Sequence, residues 1–187
     1  MITKVNAVFY IVNEKLLKER KMDIRQLTPS DAEEYLSIRL EALNESPNAF
    51  ASSYEEEKDN MAEIYKNSLH IPENTFTFGA FEESTLIGVV TLVREQLFKL
   101  RHRANIVAMY IKPEKRGNGI GRALLASVIE KAKNLDGIEQ IYLSVVTTNE
   151  SAKQLYLSSG FEVFGKEKRA LKFGHAYYDE EHMVLFI

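Results

Sequence analysis

Residues 109–125 read Met109-Tyr110-Ile111-Lys112-Pro113-Glu114-Lys115-Arg116-Gly117-Asn118-Gly119-Ile120-Gly121-Arg122-Ala123-Leu124-Leu125, and the rest of the chain is best understood around them. Just upstream, Ala104 to Ile111 is apolar and β-branched, the composition of a buried strand. Downstream, Leu124, Leu125, Val128, Ile129 and Ala132 recur at helical spacing and predict a helix over Ala123 to Lys133. Between them stand glycines at 117, 119 and 121, with Arg116 and Arg122 at the edges. A glycine-rich turn from a strand into a helix leaves backbone N–H groups unpaired at the positive end of the helix dipole. Glycine accepts positive φ and lets a ligand approach the backbone, and arginine suits phosphate oxygens. The alternative is a tight turn with incidental glycines. Three alternating glycines between two arginines favour a site for a phosphorylated ligand.

What the loop lacks narrows the ligand. A nucleotide P-loop needs Gly-Lys-Ser/Thr, whereas Gly121 is followed by Arg122 and Ala123. A dinucleotide-binding turn reads G-x-G-x-x-G and wants an acidic residue ending the next strand. Here the spacing is G-x-G-x-G, and the strand predicted over Gln140 to Val146 runs into Thr147, Thr148 and Asn149.

Arg116-Gly117-Asn118-Gly119-Ile120-Gly121 satisfies the pyrophosphate signature Arg/Gln-x-x-Gly-x-Gly/Ala, and in this the chain resembles the GNAT superfamily of acetyl-CoA-dependent N-acetyltransferases. A second family segment is matched by Asn149-Glu150-Ser151-Ala152-Lys153-Gln154-Leu155-Tyr156-Leu157-Ser158-Ser159-Gly160-Phe161. The resemblance runs from about Met22 to the C-terminus. It implies an α/β (α+β) fold with a mixed, mostly antiparallel central sheet flanked by helices, and acetyl-CoA as cofactor. In the family the strand before the loop splays from its neighbour, freeing backbone groups for pantetheine and the acetyl carbonyl; Met109, Tyr110 and Ile111 match those positions. The same resemblance implies cofactor contacts at Arg116, Gly117, Asn118, Gly119, Ile120, Gly121, Arg122 and Asn149. Asn149 also reads as a helix N-cap.

Tyr156 matches the family's general acid, which also lies against the cofactor; the alternative is a helix tyrosine packing beside Leu155. A free thiol has a pKa of about 8.5 and a tyrosine about 10, so the proton transfer is uphill by roughly 2 kcal/mol in water. A thiolate forming in a desolvated cleft is more basic, which narrows the gap.

Whole-chain numbers are compatible. At 187 residues the chain suits one domain with a sizeable core, and a net charge of −3 gives no case for a nucleic-acid partner. With no cysteine there is neither disulfide nor thiol nucleophile, in keeping with a cytoplasmic location. No apolar run approaches the roughly 20 residues that span a membrane, and Met1 to Val12 lacks the organisation of a signal peptide. No metal site is expected. Residues 1–21 read as an N-terminal extension, either appended or the product of an upstream start codon, and residues 22–187 as the acetyltransferase domain.

Taken in order, Met22 to Leu27 predicts the first strand, and Thr28-Pro29-Ser30-Asp31 a helix N-terminus. That helix carries Tyr35, Leu36, Ile38, Leu40 and Leu43 on its apolar side. A turn-rich connection over Asn44 to Ser53 leads into a second helix, from the acidic run at Tyr54 to about Leu69. Thr75 to Phe81 and Leu86 to Val93 read as a hairpin, and Arg94 to Arg103 as an irregular link. Gln140 to Val146 follows as a strand, Ser151 to Ser159 as a helix ending at Gly160, then strands over Phe161 to Leu171 and Tyr177 to Ile187.

The proton acceptor is less legible. Many family members carry a glutamate early on the strand before the loop, but Arg103-Ala104-Asn105-Ile106-Val107-Ala108 has no carboxylate. Candidates elsewhere are His102, Glu55, Glu56, Asp179 and Glu180, and solvent is a further possibility. Neutralising a lysine-like amine at pH 7 costs about 4.6 kcal/mol, a peptide α-amine only about 1. The segment between the first two helices walls the acceptor pocket in the proteins this chain resembles, and Lys172 to Met183 resembles the last hairpin of amino-acid and polyamine acetyltransferases. Phe50, Tyr54, Glu55, Glu56, Tyr177, Asp179 and Glu180 are therefore the expected acceptor contacts, their carboxylates attracting an ammonium group. The expected reaction is direct acetyl transfer to a primary amine, a small amine or amino acid, in a ternary complex, with a homodimer possible. Transfer to protein N-termini or lysines, use of another CoA ester, and a non-catalytic acyl-CoA-binding module are the alternatives.

Overall fold

Runs rich in Val, Ile, Phe and Tyr pair into one seven-stranded sheet: β1 (Met22–Gln26), β2 (Thr75–Glu82), β3 (Thr85–Arg94), β4 (Arg103–Ile111), β5 (Gln140–Val146), β6 (Glu162–Phe173) and β7 (Ala176–Phe186). The computed structural model describes residues 22–70 and 73–187, so the extension read over residues 1–21 lies outside the described residues. The strand order is β1-β2-β3-β4-β5-β7-β6. Every neighbouring pair is antiparallel except β4 and β5. This is the mixed, mostly antiparallel α/β sheet expected from the sequence.

Five α-helices accompany it among the described residues: α1 (Ala32–Glu45), α2 (Tyr54–Glu57), α3 (Ala62–His70), α4 (Ile120–Lys133) and α5 (Glu150–Ser158). The second helix was expected to be continuous from Tyr54 to Leu69, but the chain breaks it in two. Ser53 and Glu56 close a capping box at the start of α2. Asp59 and Asn60 then turn the chain, the Asn60 N–H returning to the Glu57 carbonyl at 3.0 Å; both residues compete with helix through local hydrogen bonds. Helix α4 starts at Ile120, three residues before the expected Ala123, because Gly119 at φ +80° serves as its N-cap.

Helices cover the sheet unequally. On one face Leu124, Leu125 and Val128 of α4 and Tyr156 of α5 pack on Val90, Leu92, Ala104, Ile106, Ile141, Leu143, Val145 and Met183. On the other, Tyr35, Ile38 and Ala42 of α1, with Leu69 of α3, pack on Phe81, Leu86, Val89 and Tyr110. That second layer stops at β4. Past it, Val107, Ser144 and Phe164 stay exposed, and this open half-face shapes the site.

The turn entering α1 contains a polar anchor. Asp31, with 8 % of its side chain exposed, accepts from both terminal nitrogens of Arg25 at 2.8 and 2.7 Å and from the Thr28 N–H at 2.7 Å. Chiefly through the Arg25 hydrogen bonds, its carboxyl is held down at about 2, from 3.8. A depressed carboxyl stabilises the fold above its unfolded pKa and ceases to do so as pH falls through its folded one. Asp31 should therefore contribute about 2 kcal/mol at neutral pH, fading between about pH 4 and pH 2. Urea unfolding of Asp31→Asn and wild type checks this: their gap at pH 7 should close near pH 2, and a pH-independent gap would contradict the assignment.

Candidate active site

The site begins where β4 and β5 part. They pair only at Arg103 with Gln140, Ala104 with Ile141 and Asn105 with Tyr142. Beyond those positions Ile106–Ile111 and Leu143–Val146 line opposite sides of a cleft of about 1680 Å³. A bulge in β4 widens the gap. Val89 pairs with Tyr110 and Thr91 with Val107, so Ala108 and Met109 together stand opposite one residue of β3. Ala108 is left-handed there, at φ +53°, although it is not glycine. The extra residue reverses the strand's alternation. Ala104 and Ile106 before the bulge, and Met109 and Ile111 after it, all turn toward α4. Tyr110 turns to the opposite layer, where its hydroxyl donates to Glu41 Oε1 at 3.0 Å.

The glycine loop sits at the mouth of this cleft. Gly117 and Gly119 adopt φ +75° and +80°, and a Cβ on either would meet nothing within 4 Å. Their need for glycine is conformational, and the space beside the backbone is open to a ligand. Gly121 differs: a Cβ there would lie 3.0 Å from Ile111 Cδ1 and 3.1 Å from Leu155 Cδ2, so it lets α4 pack close to β4 and α5. Arg116 and Arg122 both line the cleft. Arg116 Nε donates to the Ile111 carbonyl at 2.9 Å, which ties the loop to the end of β4. A backbone cradle in left-handed glycine conformation, two arginines and the N-terminus of a 14-residue helix fit a coenzyme A pyrophosphate.

Two expected cofactor contacts take other roles through their side chains. Ile120 is buried in the core below the loop, at 2 % exposure. Asn118 donates to the Lys115 and Arg116 carbonyls at 3.1 and 3.2 Å and thereby closes the turn; neither residue lines the cleft. Asn149 caps α5, its side chain accepting from the Ala152 N–H at 3.2 Å, and it also borders the cleft.

Tyr156 projects from α5 to the cleft, opposite the bulge. Its ring stands edge-on to Phe161 with centroids 6.0 Å apart. Its hydroxyl donates to Met109 Sδ at 3.5 Å, a weak acceptor. Burial pushes the hydroxyl up to about 12, so it remains protonated across the neutral range with a proton that no strong acceptor holds.

The structure sorts the expected acceptor contacts. Phe50 and Glu180 line the cleft, while Tyr54, Glu55, Glu56, Tyr177 and Asp179 do not. Glu55 is turned to Lys58, and Glu56 is spent on the Ser53 cap. Tyr54 is an exposed residue at the first position of α2. Asp179 accepts from the Arg169 N–H at 2.9 Å and pairs with Lys166 at 3.1 Å. Tyr177 lies beneath Arg169 and Lys172 at the tip of the hairpin. His102 accepts from Arg103 Nε at 3.3 Å and is also outside the cleft.

Strand alternation explains why Glu180 points inward. Glu181 reaches Lys153 of α5 at 3.1 Å on the covered face, so its neighbours Glu180 and His182 face the open one. They join Ser144 and Tyr142 of β5, Phe164 of β6 and Glu95 in the lining. None of these last five was singled out in the sequence. The alternation of β5 was visible there, but the register bringing β5, β6 and β7 together was not.

Two parallel strands parting beside a glycine loop form a site that fits a coenzyme A thioester. A profile described as "Acetyltransferase (GNAT) domain" matches residues 24–182. The chain belongs to this GNAT family of acetyl-CoA-dependent N-acetyltransferases. It is 25 % identical over 146 residues to the spermidine N(1)-acetyltransferase of Vibrio cholerae, covering 76 % of this chain and 83 % of that protein. It is 27 % identical over 137 residues to the mycothiol acetyltransferase of Brachybacterium faecium; that match covers 73 % of this chain but spans only 39 % of the relative's length. Among solved structures, a Salmonella typhimurium protein with its cofactor acetyl-CoA superposes with a TM-score of 0.77 at 20 % identity, covering 88 % of this chain and 93 % of that one. That likeness concerns the fold. No helix among the described residues is long and apolar enough to cross a membrane.

Proposed function

We propose that this chain transfers the acetyl group of acetyl-CoA to the primary amine of a small molecule, by direct attack within a ternary complex. The observation that carries the reading is Glu180. It lines the cleft, and its partly buried carboxylate makes no hydrogen bond or salt bridge among the described residues. Burial pushes its pKa up from the usual carboxylate value, which leaves it favouring a cationic partner. An ammonium group seated there would restore the charge-assisted hydrogen bonds that the fold does not provide. Phe50, Tyr142 and Phe164 offer apolar surface for the carbon skeleton. That two relatives are named for spermidine supports the same reading.

Acetyl-CoA, when bound, supplies the thioester from which the acetyl group is taken. The chain's part is to hold the pyrophosphate on the backbone of Gly117 to Arg122, to present the edge of β4 at Met109 to Ile111, past its last pair with β5, to the pantetheine and carbonyl, and to keep a proton on Tyr156 for the departing sulfur. One preorganised backbone donor at a developing oxyanion is worth roughly 3 kcal/mol.

Two measurements test the reading. Coenzyme A at about 100 times its Kd should stabilise the protein by about 2.7 kcal/mol, a rise in Tm of about 5–10 °C for a chain of this length. An unmoved Tm at saturation would refute the cofactor assignment. A panel of polyamines, amino acids and N-terminal peptides, assayed with acetyl-CoA by released thiol, should show turnover with a small amine. Turnover confined to peptides or folded proteins would replace the small-acceptor reading, and none with any amine would leave a binding module.

A further inference from the structure

On the open half-face of the sheet, three side chains from three strands form a hydrogen-bonded chain. Ser144 of β5 stands directly across from His182 of β7, and Ser144 Oγ lies 2.8 Å from His182 Nδ1. The other ring nitrogen, Nε2, lies 3.2 Å from Glu167 Oε2 of β6. Strand register produces the chain. β6 slips by one residue between Val163 and Gly165, which sets Gly165 opposite His182 and Glu167 opposite Glu180. Phe164 lies beside the imidazole, with ring centroids 6.1 Å apart and planes tilted by 33°.

The polarity of the chain follows from donor and acceptor inventory. An ionised carboxylate only accepts, so the proton between His182 and Glu167 belongs to Nε2. His182 Nδ1 is then an acceptor, and the bond from Ser144 is donated by its hydroxyl. Ser144 and His182 both line the cleft. Ser144 lies two positions past Tyr142, the last residue of β5 paired with β4. The carboxylates facing His182 are Glu167 from β6 and Glu180 from its own strand, whose charge interacts with the imidazole. With His182 about 30 % and Glu167 about 59 % exposed, their pairing adds little to stability. It does fix which nitrogen of the imidazole is free to take a proton.

We propose that Ser144, His182 and Glu167 form the proton relay that neutralises the acceptor amine, the part for which the strand before the glycine loop has no carboxylate. The proposal rests on the N-acetyltransfer reading above. An ammonium held by Glu180 gives one N–H proton to Ser144 Oγ as the serine's own proton passes to His182 Nδ1. The ammonium N–H bond breaks, the Nδ1–H bond forms, and Ser144 is left unchanged. His182 becomes an imidazolium held by Glu167 and returns its proton to solvent from its exposed edge. The neutral amine then has its lone pair free to attack. Its second N–H proton, lost to solvent once the new C–N bond has formed, equals in number the one that Tyr156 delivers to the sulfur and then recovers from solvent. An imidazole is a better matched acceptor of an amine proton than a carboxylate, and a positioned base of this kind contributes about 10²-fold or more.

The test compares His182→Gln, Ser144→Ala and Glu167→Gln with wild type, using the most active alkylamine of the panel and hydroxylamine, which is already neutral at neutral pH. His182→Gln should lower kcat/KM by about 10²-fold for the alkylamine and far less for hydroxylamine. Imidazole added to the buffer should restore part of the loss for His182→Gln, and Glu167→Gln should fall between it and wild type. A readout independent of turnover is the imidazole tautomer: ¹⁵N NMR of the protein alone should show His182 protonated at Nε2. Unchanged Tm elevation by coenzyme A controls for folding. Equal losses for both amines, wild-type rates in His182→Gln, or a proton found on Nδ1 would overturn the relay. So would an acetyl group trapped on Ser144 during turnover, which would make the serine a nucleophile. Wild-type protein that acetylates no amine would instead sink the function on which the proposal rests.

Discussion

Tyr156→Phe should lower kcat by about 10²-fold or more while leaving the Tm rise produced by coenzyme A close to that of wild type. The substitution keeps the ring, its edge-on contact with Phe161 and its place in the core. It removes one hydroxyl whose acceptor is the sulfur of Met109, a contact weak enough that stability should barely change. Its proton is the larger loss. Burial holds the hydroxyl at about 12, so it acts as an acid only toward a base stronger than a thiolate in water. A thiolate released into the desolvated gap between β4 and β5 is such a base. Single-turnover measurements isolate the chemical step. Wild-type turnover in the variant, with chemistry rate-limiting, would return Tyr156 to a packing role.

Glu57→Ala should destabilise the protein by roughly 3 kcal/mol, lowering Tm by about 6–12 °C at this chain length. Arg39 and Glu57 pair at 2.7 Å with only 12 % and 14 % of their side chains exposed. Arg39 Nε makes a second bond to the same carboxylate at 2.9 Å, and Tyr65 donates to Glu57 Oε2 at 2.8 Å. Removing the carboxylate leaves a guanidinium with most of its water excluded, and that unpaired charge accounts for the cost. Replacing both, as Arg39→Met with Glu57→Leu, should therefore recover most of the stability. A double variant no better than Glu57→Ala would contradict this account. The pair also has a positional role: Arg39 stacks over Phe50, at 5.2 Å from the ring centroid, and donates to Ser52 at 3.3 Å. It thereby holds the Phe50 wall of the cleft against α1, so on the proposed function single variants should raise KM for the amine more than for acetyl-CoA.

Features set by neighbours in the chain were legible in the sequence. The glycine loop, the strand before it and the helix after it follow from local composition, and β5 spans Gln140–Val146 as periodicity implied. Tyr156 was singled out through the family resemblance of its segment, whereas its burial and its contact with Met109 follow from the fold. Features set by pairing between distant strands were hidden. Ala108 is left-handed without being glycine, so nothing in its residue type announces the bulge that turns Met109 toward Tyr156. The acidic cluster at Glu55 and Glu56 looked like an acceptor wall, yet short-range bonds to Lys58 and Ser53 consume it. The member of that run that matters to the site is Glu57, through its pairing with Arg39, 18 positions away in sequence. Ser144, Glu167 and His182 lie on separate strands, and only the one-residue slip in β6 aligns them.

The seam between β4 and β5 has a further consequence for how the molecule comes apart. Only three residue pairs join those strands, whereas β1–β4 on one side and β5–β7–β6 on the other are each knit by long antiparallel ladders. Sub-global opening along the seam therefore sacrifices few backbone bonds compared with unravelling either half. Resistance to it comes from the shared apolar core, in which Leu124, Leu125 and Val128 of α4 belong to the same cluster as Ile141, Leu143 and Val145 of β5. A molecule lodged between the strands would bridge two cooperative units that the backbone links only lightly. Amide exchange should then slow on both sides of the cleft together, including at positions that touch no ligand.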